Sequence, residues 1–361
     1  MELMKLVLVL YTGGTIGMKE RDGSLAPADR GEFVEFVKEI PQMHSKWRHK
    51  QLELSEDELV LPVGRTKYII KEYPTLLDSS NMEPRDWNRI LNDIKENYDK
   101  FDGFVILHGT DTLAYTGAAL TFALENLGKP VVLTGSQVPI FESRTDAVIN
   151  IIDAVRVAET FPDLQEVVVV FNRQMFLASR IEKTDNESFQ AFSSPNLETL
   201  SVLEPSVRND IHFSNNDDLY RRNGAFGIHL YNGSMISVLY LTPGIPREIV
   251  EAAVAPPMRG VLLVSFGNGN IPSNRKDITD ALARAIGRGV LIVNVSQCLQ
   301  GSVSDIYETG VVFGTIGVVS GSDMTIPAAY AKLAFVLENG RSYNEMKQMM
   351  QKDLKGELSR Q

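Results

Sequence analysis

From Lys5 to Phe171 the chain alternates short β-branched and aliphatic runs with longer amphipathic stretches, the pattern of a parallel sheet covered by helices. It predicts strands over Leu6–Tyr11, Gly103–His108, Val131–Thr134 and Val167–Phe171, with helices over Glu83–Tyr98, Asp111–Leu127 and Ser143–Glu159. The periodicity then breaks at Ser193-Ser194-Pro195-Asn196 and stays polar through Asn215-Asn216-Asp217-Asp218; this stretch is rich in turn formers and reads as an interdomain connection. Alternation resumes with strands over Ser237–Leu241, Val261–Phe266 and Val290–Val295, and helices over Pro246–Val254, Arg275–Arg288 and Thr325–Glu338. A last polar helix is expected from Tyr343 to Ser359, packing by Met346, Met349, Met350 and Leu354.

The expected fold is therefore α/β: a larger N-terminal, mostly parallel sheet with flanking helices, and a smaller C-terminal α/β domain. The boundaries are residues 1–192, a linker at 193–220 and residues 221–361. A length of 361 residues agrees with two cores rather than one.

Composition narrows the function by exclusion. A net charge of −10, with no basic stripe, argues against a nucleic-acid partner. No apolar run approaches the roughly 20 residues of a membrane-spanning helix. The start, Met1-Glu2-Leu3-Met4-Lys5, lacks the apolar region of a secretory signal, so the cytoplasm is the expected compartment. The single cysteine, Cys298, excludes an internal disulfide and is expected to be buried and inert. None of the five histidines is spaced as a metal pair, and neither metal nor organic cofactor is expected.

Three segments carry candidate chemistry. Tyr11-Thr12-Gly13-Gly14-Thr15-Ile16-Gly17-Met18 follows the first strand, at the edge where open α/β sheets bind ligands. Its glycines fit neither G-x-G-x-x-G nor a P-loop, and a tight turn at positive φ is the plainer reading. His108-Gly109-Thr110-Asp111-Thr112 stands at a strand end where a helix opens. Thr110 or Asp111 could cap that helix, or serve as hydroxyl and carboxylate in catalysis if Lys183 joins them. In Leu77-Asp78-Ser79-Ser80-Asn81-Met82, Ser80 or Asn81 could cap the next helix. Alternatively, Asp78 and Ser79 could clamp an α-ammonium and an α-carboxylate.

These segments, in this order, resemble the L-asparaginases, specifically the type I or cytoplasmic branch. Leu133-Thr134-Gly135-Ser136-Gln137, Ala191-Phe192-Ser193-Ser194-Pro195-Asn196 and Gly321-Ser322-Asp323-Met324-Thr325 extend the likeness over nearly the whole chain. The resemblance implies hydrolysis of L-asparagine without a cofactor. It also implies an active site between two α/β domains, completed across a dimer within a homotetramer. It makes Thr15 the primary nucleophile and Thr110, Asp111 and Lys183 a second catalytic group. Gly14, Asp78, Ser79, Thr110 and Asp111 are the implied substrate holders, and Tyr307 resembles the tyrosine thought to assist the first threonine. Ile181-Glu182 departs from the Thr-Thr that relatives often carry, close to where some type I enzymes bind a regulatory asparagine.

Two other functions fit parts of the pattern. The amidase subunit of a tRNA-dependent amidotransferase resembles these enzymes, but usually carries an extra N-terminal module for which the early first strand leaves no room. A non-catalytic amino-acid sensor would need Asp78 and Ser79 but neither threonine hydroxyl.

Overall fold

The structure, a computed structural model, describes residues 4–161, 164–203, 224–272, 274–304, 315–340 and 342–359. The chain forms two compact units. One comprises Met1–Ala178, Lys183–Ser193 and Thr199–His229; the other comprises Ser179–Glu182, Ser194–Glu198 and Leu230–Gln361.

In the first unit β1 (Lys5–Gly13) lies inside an eight-stranded sheet, third from one edge. The other strands are β2 (Glu58–Val60), β3 (Thr66–Leu77), β4 (Gly103–Leu107), β5 (Val131–Thr134), β6 (Val167–Phe171), β7 (Gln174–Leu177) and β8 (Ser201–Val202). Their spatial order is β8-β7-β6-β5-β4-β1-β3-β2. The run from β6 to β3 is parallel, and both edges add antiparallel strands. Every residue of β4, β5 and β6 is buried, as expected of strands covered on both faces.

The expected strands form with ends shifted by one or two residues, but β3 was not anticipated. Lys67, Lys71 and Glu72 interrupt its apolar pattern, and of its twelve residues only Thr66, Tyr68 and Tyr73 are buried. Within the stretch read as a connection, Ser201–Val202 pairs with β7. Much of the remainder lies outside the described residues.

The connections place α1 (Pro84–Asn97) between β3 and β4, α2 (Leu113–Ala123) after β4, and α3 (Ala147–Thr160) between β5 and β6. After β1 the chain fills the slot on one side with β3, then crosses to the other side for β4, so the order reverses between β1 and β4. Such a reversal splays the outgoing loops and leaves a crevice at the carboxyl ends. Both threonine loops begin there.

The second unit has four parallel strands in sequence order: β9 (Ile236–Tyr240), β10 (Gly260–Ser265), β11 (Leu291–Ser296) and β12 (Val319–Ser320). Alternation sorts their side chains. Val261, Leu263 and Ile292 pack with α4 (Arg247–Val254) and α5 (Lys276–Gly287), while Leu262, Val264, Val293 and Val295 face α6 (Ile326–Asn339) and α7 (Tyr343–Gln351).

Two expectations need correction here. The last helix stops at Gln351 instead of reaching Ser359, because the buried Lys332 ammonium donates to the Met350 and Lys352 carbonyls at 3.0 and 2.6 Å and pairs with Glu357. Glu357 in turn accepts from the Leu354 and Lys355 amides, so the backbone after Gln351 turns toward a buried charge. Met350 is fully buried and Met346 and Met349 pack against the same core, but Leu354 takes no part in that cluster. Cys298 is exposed rather than buried, since β11 ends at Ser296 and the chain has already left the sheet.

A buried polar chain ties α1 and α2 to the end of β4. His108 Nδ1 lies 2.7 Å from the Gly109 carbonyl, which can only accept, so Nδ1 carries the proton. Burial lowers the His108 pKa from 6.5 to about 4, leaving a neutral ring whose Nε2 accepts at 2.9 Å from the Thr116 hydroxyl. Thr116 Oγ1 in turn accepts from the Trp87 indole N–H at 3.0 Å.

Two stability predictions follow from this packing. Gly14 (φ +88) and Gly23 (φ +80) both have the positive φ that disfavours side chains, but an added Cβ would sit 2.4 Å from Gly109 Cα at the first and meet nothing within 4 Å at the second. Gly23→Ala should therefore cost about 1–2 kcal/mol, and Gly14→Ala at least about 2 kcal/mol more, measured by urea unfolding. For His108, the unfolded chain takes up the proton first as pH falls. Its contribution is thus intact above pH 6.5 and lost progressively toward pH 4, at about 1.4 kcal/mol per pH unit. Stability profiles of the parent and His108→Asn should differ in slope by one proton over that window.

Candidate active site

The glycines of three loops make the site by letting backbones touch. Gly13 and Gly14 occupy positive φ, and the Gly14 amide donates to the Leu77 carbonyl at 2.9 Å. A Cβ on Gly13 would fall 2.3 Å from that carbonyl, and one on Gly14 would fall against Gly109. Gly109 in turn lies under Ser79, whose Oγ would be 2.5 Å from an added Cβ. Gly135, after β5, is pressed on the His108 carbonyl in the same way. The loops after β1, β3, β4 and β5 thus meet at one edge of the sheet, bringing Gly14, Thr15, Asp78, Ser79, Thr110 and Asp111 into one neighbourhood.

Local structure presents each side chain differently. Thr15, partly exposed, opens a 3-10 turn over Thr15–Gly17. Tyr11 lies beneath that turn, stacked on Phe33, with its hydroxyl where a Gly17 side chain would be. Asp78 is exposed and accepts from the Ser80 amide at 3.0 Å, holding the turn Ser79–Asn81. Ser79 is buried, and its carbonyl accepts from the Thr112 hydroxyl at 2.7 Å.

The capping alternatives do not hold. Helix α2 begins at Leu113 with Thr112 as its cap residue, leaving Thr110 and Asp111 outside it. Helix α1 is entered through Glu83, whose amide donates to Asp86 at 2.9 Å, so neither Ser80 nor Asn81 caps it.

Lys183 is no solvated charge. Its Nζ donates to Thr110 Oγ1 at 2.8 Å and to Asp111 Oδ1 at 2.6 Å, although the residues are more than 70 positions apart. The Lys183 side chain is 18% exposed and that of Asp111 60%, so the pair contributes little to stability. Its chemical meaning is larger, because an ammonium against a hydroxyl oxygen lowers the cost of forming an alkoxide.

Gln137 belongs to the site, although in the sequence it stands only within a motif of the resemblance, with no role implied for it. Its Oε1 lies 3.4 Å from the Thr110 hydroxyl, while its Nε2 donates to the Ser188 carbonyl at 3.0 Å. Its position one turn beyond β5, in Thr134-Gly135-Ser136-Gln137, was the available signal. Tyr307 lies outside the described residues.

A separate cavity of about 200 Å³ belongs to the second unit, at the carboxyl ends of its strands, and is lined by Glu182, Asn196, Tyr240, Gln297, Cys298 and Ser322 among others. Burial raises the pKa of Glu182.

Comparison with known proteins fits this geometry. Residues 6–218 match the family model "Asparaginase, N-terminal" and residues 235–350 match "Glutaminase/Asparaginase C-terminal domain". The chain is 40% identical over 364 residues to an L-asparaginase of Dirofilaria immitis, covering 98% of this chain but only 60% of that protein. It is 37% identical over 356 residues to L-asparaginase 1 of Escherichia coli K12, covering 98% of each. The crystal structure of L-asparaginase I from Vibrio cholerae superposes with a TM-score of 0.82 at 37% identity, over 99% of both chains. With both domain types matched and a type I relative aligned from end to end, the chain is an enzyme of the asparaginase family.

Proposed function

We propose that this enzyme hydrolyses L-asparagine to L-aspartate and ammonia, with Thr15 as the nucleophile and Thr110, Asp111 and Lys183 as the group that moves protons. The observation that carries this reading is the contact of Lys183 with both Thr110 and Asp111, on a loop whose glycine touches the glycine preceding Thr15.

A primary amide resists hydrolysis because ammonia is a poor leaving group and the tetrahedral intermediate concentrates charge on one oxygen. In the proposed sequence Thr15 Oγ attacks the carboxamide carbon as its proton passes to the proton-moving group, and loop amides around Thr110 donate hydrogen bonds to the oxyanion. The carbon–nitrogen bond breaks as the nitrogen gains a proton and leaves as ammonia. Water, losing its proton to the Thr110–Asp111–Lys183 group, then attacks the Thr15 ester; the carbon–oxygen bond breaks as Thr15 Oγ regains a proton from that group, and aspartate is released. Gly14, Asp78 and Ser79, with Thr110 and Asp111, hold the substrate's α-ammonium and α-carboxylate. Tyr307 assists the Thr15 hydroxyl. The same family likeness supports a cytoplasmic homodimer or homotetramer.

The Lys183 contact also favours a second reading, in which Thr110 attacks first because its hydroxyl touches the ammonium at 2.8 Å. The position of Thr15 directly after the Gly13-Gly14 turn supports the first.

Ammonia release from L-asparagine and L-glutamine, followed across substrate concentration, tests the proposal. Thr15→Ala should lower turnover at least about 10²–10⁴-fold while leaving asparagine binding nearly intact. A Thr15→Ala, Thr110→Ala double variant with the parent rate would sink both readings. Binding without any ammonia would instead indicate an amino-acid sensor. A sigmoidal curve would mark a regulatory site despite Glu182.

A further inference from the structure

We infer that His108 is a positioning residue for the hydrolysis, held by Thr116 and Trp87 in the tautomer that fixes the Gly109–Thr110 peptide so that the Thr110 amide faces the reacting carbonyl. The inference rests on the proposed asparaginase reaction and adds to it residues that never touch substrate.

The geometry has one direction. The Trp87 indole can only donate, so Thr116 Oγ1 accepts its N–H at 3.0 Å and turns its own proton outward. That proton meets His108 Nε2 at 2.9 Å, which leaves Nδ1–H to donate to the Gly109 carbonyl at 2.7 Å. Reversing any step would set two protons or two lone pairs face to face among buried groups that have no water to turn to. Burial, which keeps the ring neutral to about pH 4, agrees with a single Nδ1–H tautomer at neutral pH.

The effect on chemistry passes through one peptide plane. The Gly109 carbonyl and the Thr110 amide belong to the same trans peptide, so fixing the oxygen toward His108 turns the N–H the opposite way. That N–H donates to no group among the described residues. Gly109 Cα, where that plane begins, is crowded by Gly14 and by Ser79, so the freedom left to the peptide is rotation about the bond that follows this Cα. The histidine bond removes that freedom. An oxyanion donor acts only when aimed where charge develops, so disturbing the chain of bonds should change the transition state more than substrate binding.

The test combines kinetics with nitrogen spectroscopy on the full chain. Thr116→Val removes the hydroxyl at nearly constant volume; kcat should fall about tenfold to a hundredfold with KM within a factor of about two. Thr116→Ser should restore most of the loss. Long-range ¹H–¹⁵N spectra of the parent should show His108 protonated at Nδ1. This readout requires no variant to fold, and Trp87→Phe gives a second, milder perturbation in the same direction. An Nε2–H tautomer in an active parent, or an unchanged kcat in folded Thr116→Val, overturns the inference alone. A parent that binds asparagine but releases no ammonia overturns the functional reading beneath it.

Discussion

Close contact between glycine backbones at the ends of β1 and β4 is the constraint on which the site depends. No side chain fits between Gly14 and Gly109, where an added Cβ would lie 2.4 Å from the opposing Cα. Strands of a parallel sheet stand about 4.8 Å apart, so their outgoing loops stay in touch only if nothing projects between them. Glycine meets that condition and also takes the positive φ required at Gly13 and Gly14. Reversal of strand order between β1 and β4 supplies the crevice, and the glycines keep it narrow, as the proposed action of two threonines on one small substrate requires.

Around that contact the structure separates rigid from reactive groups. Buried hydrogen bonds hold the backbone: Thr112 to the Ser79 carbonyl, Thr116 to His108, and His108 to the Gly109 carbonyl. The charged partners lie nearer the solvent, with Asp111 mostly exposed and Lys183 partly so. A charge pair placed there can exchange protons with water and substrate, which a sealed pair such as Lys332 and Glu357 cannot do. The sealed pair instead shapes the backbone after α7.

Much of this was legible in the chain itself, for physical reasons. Buried parallel strands read as aliphatic runs, so β4, β5 and β6 were plain, as were β10 and β11. β3 was not, because Lys67 pairs with Glu58 and Lys71 with Asp93 at positions that an apolar pattern would need. The glycine turn and the threonine loops were visible as motifs, yet nothing local joins Lys183 to Thr110 across the sheet. Only their chemistry and the resemblance suggested the partnership. Gln137 was missed because an amide side chain gives no signal of its own. The exposure of Cys298 was missed because it depends on where β11 ends.

The central claim, that Thr15 bears the acyl group, is tested most directly by trapping it. Protein saturated with L-asparagine would be acid-quenched in the steady state, digested and mapped by mass spectrometry, with Lys183→Met used to slow deacylation. The account predicts an aspartyl adduct on the peptide carrying Thr15. An adduct on the peptide carrying Thr110, in protein that releases ammonia, would contradict it.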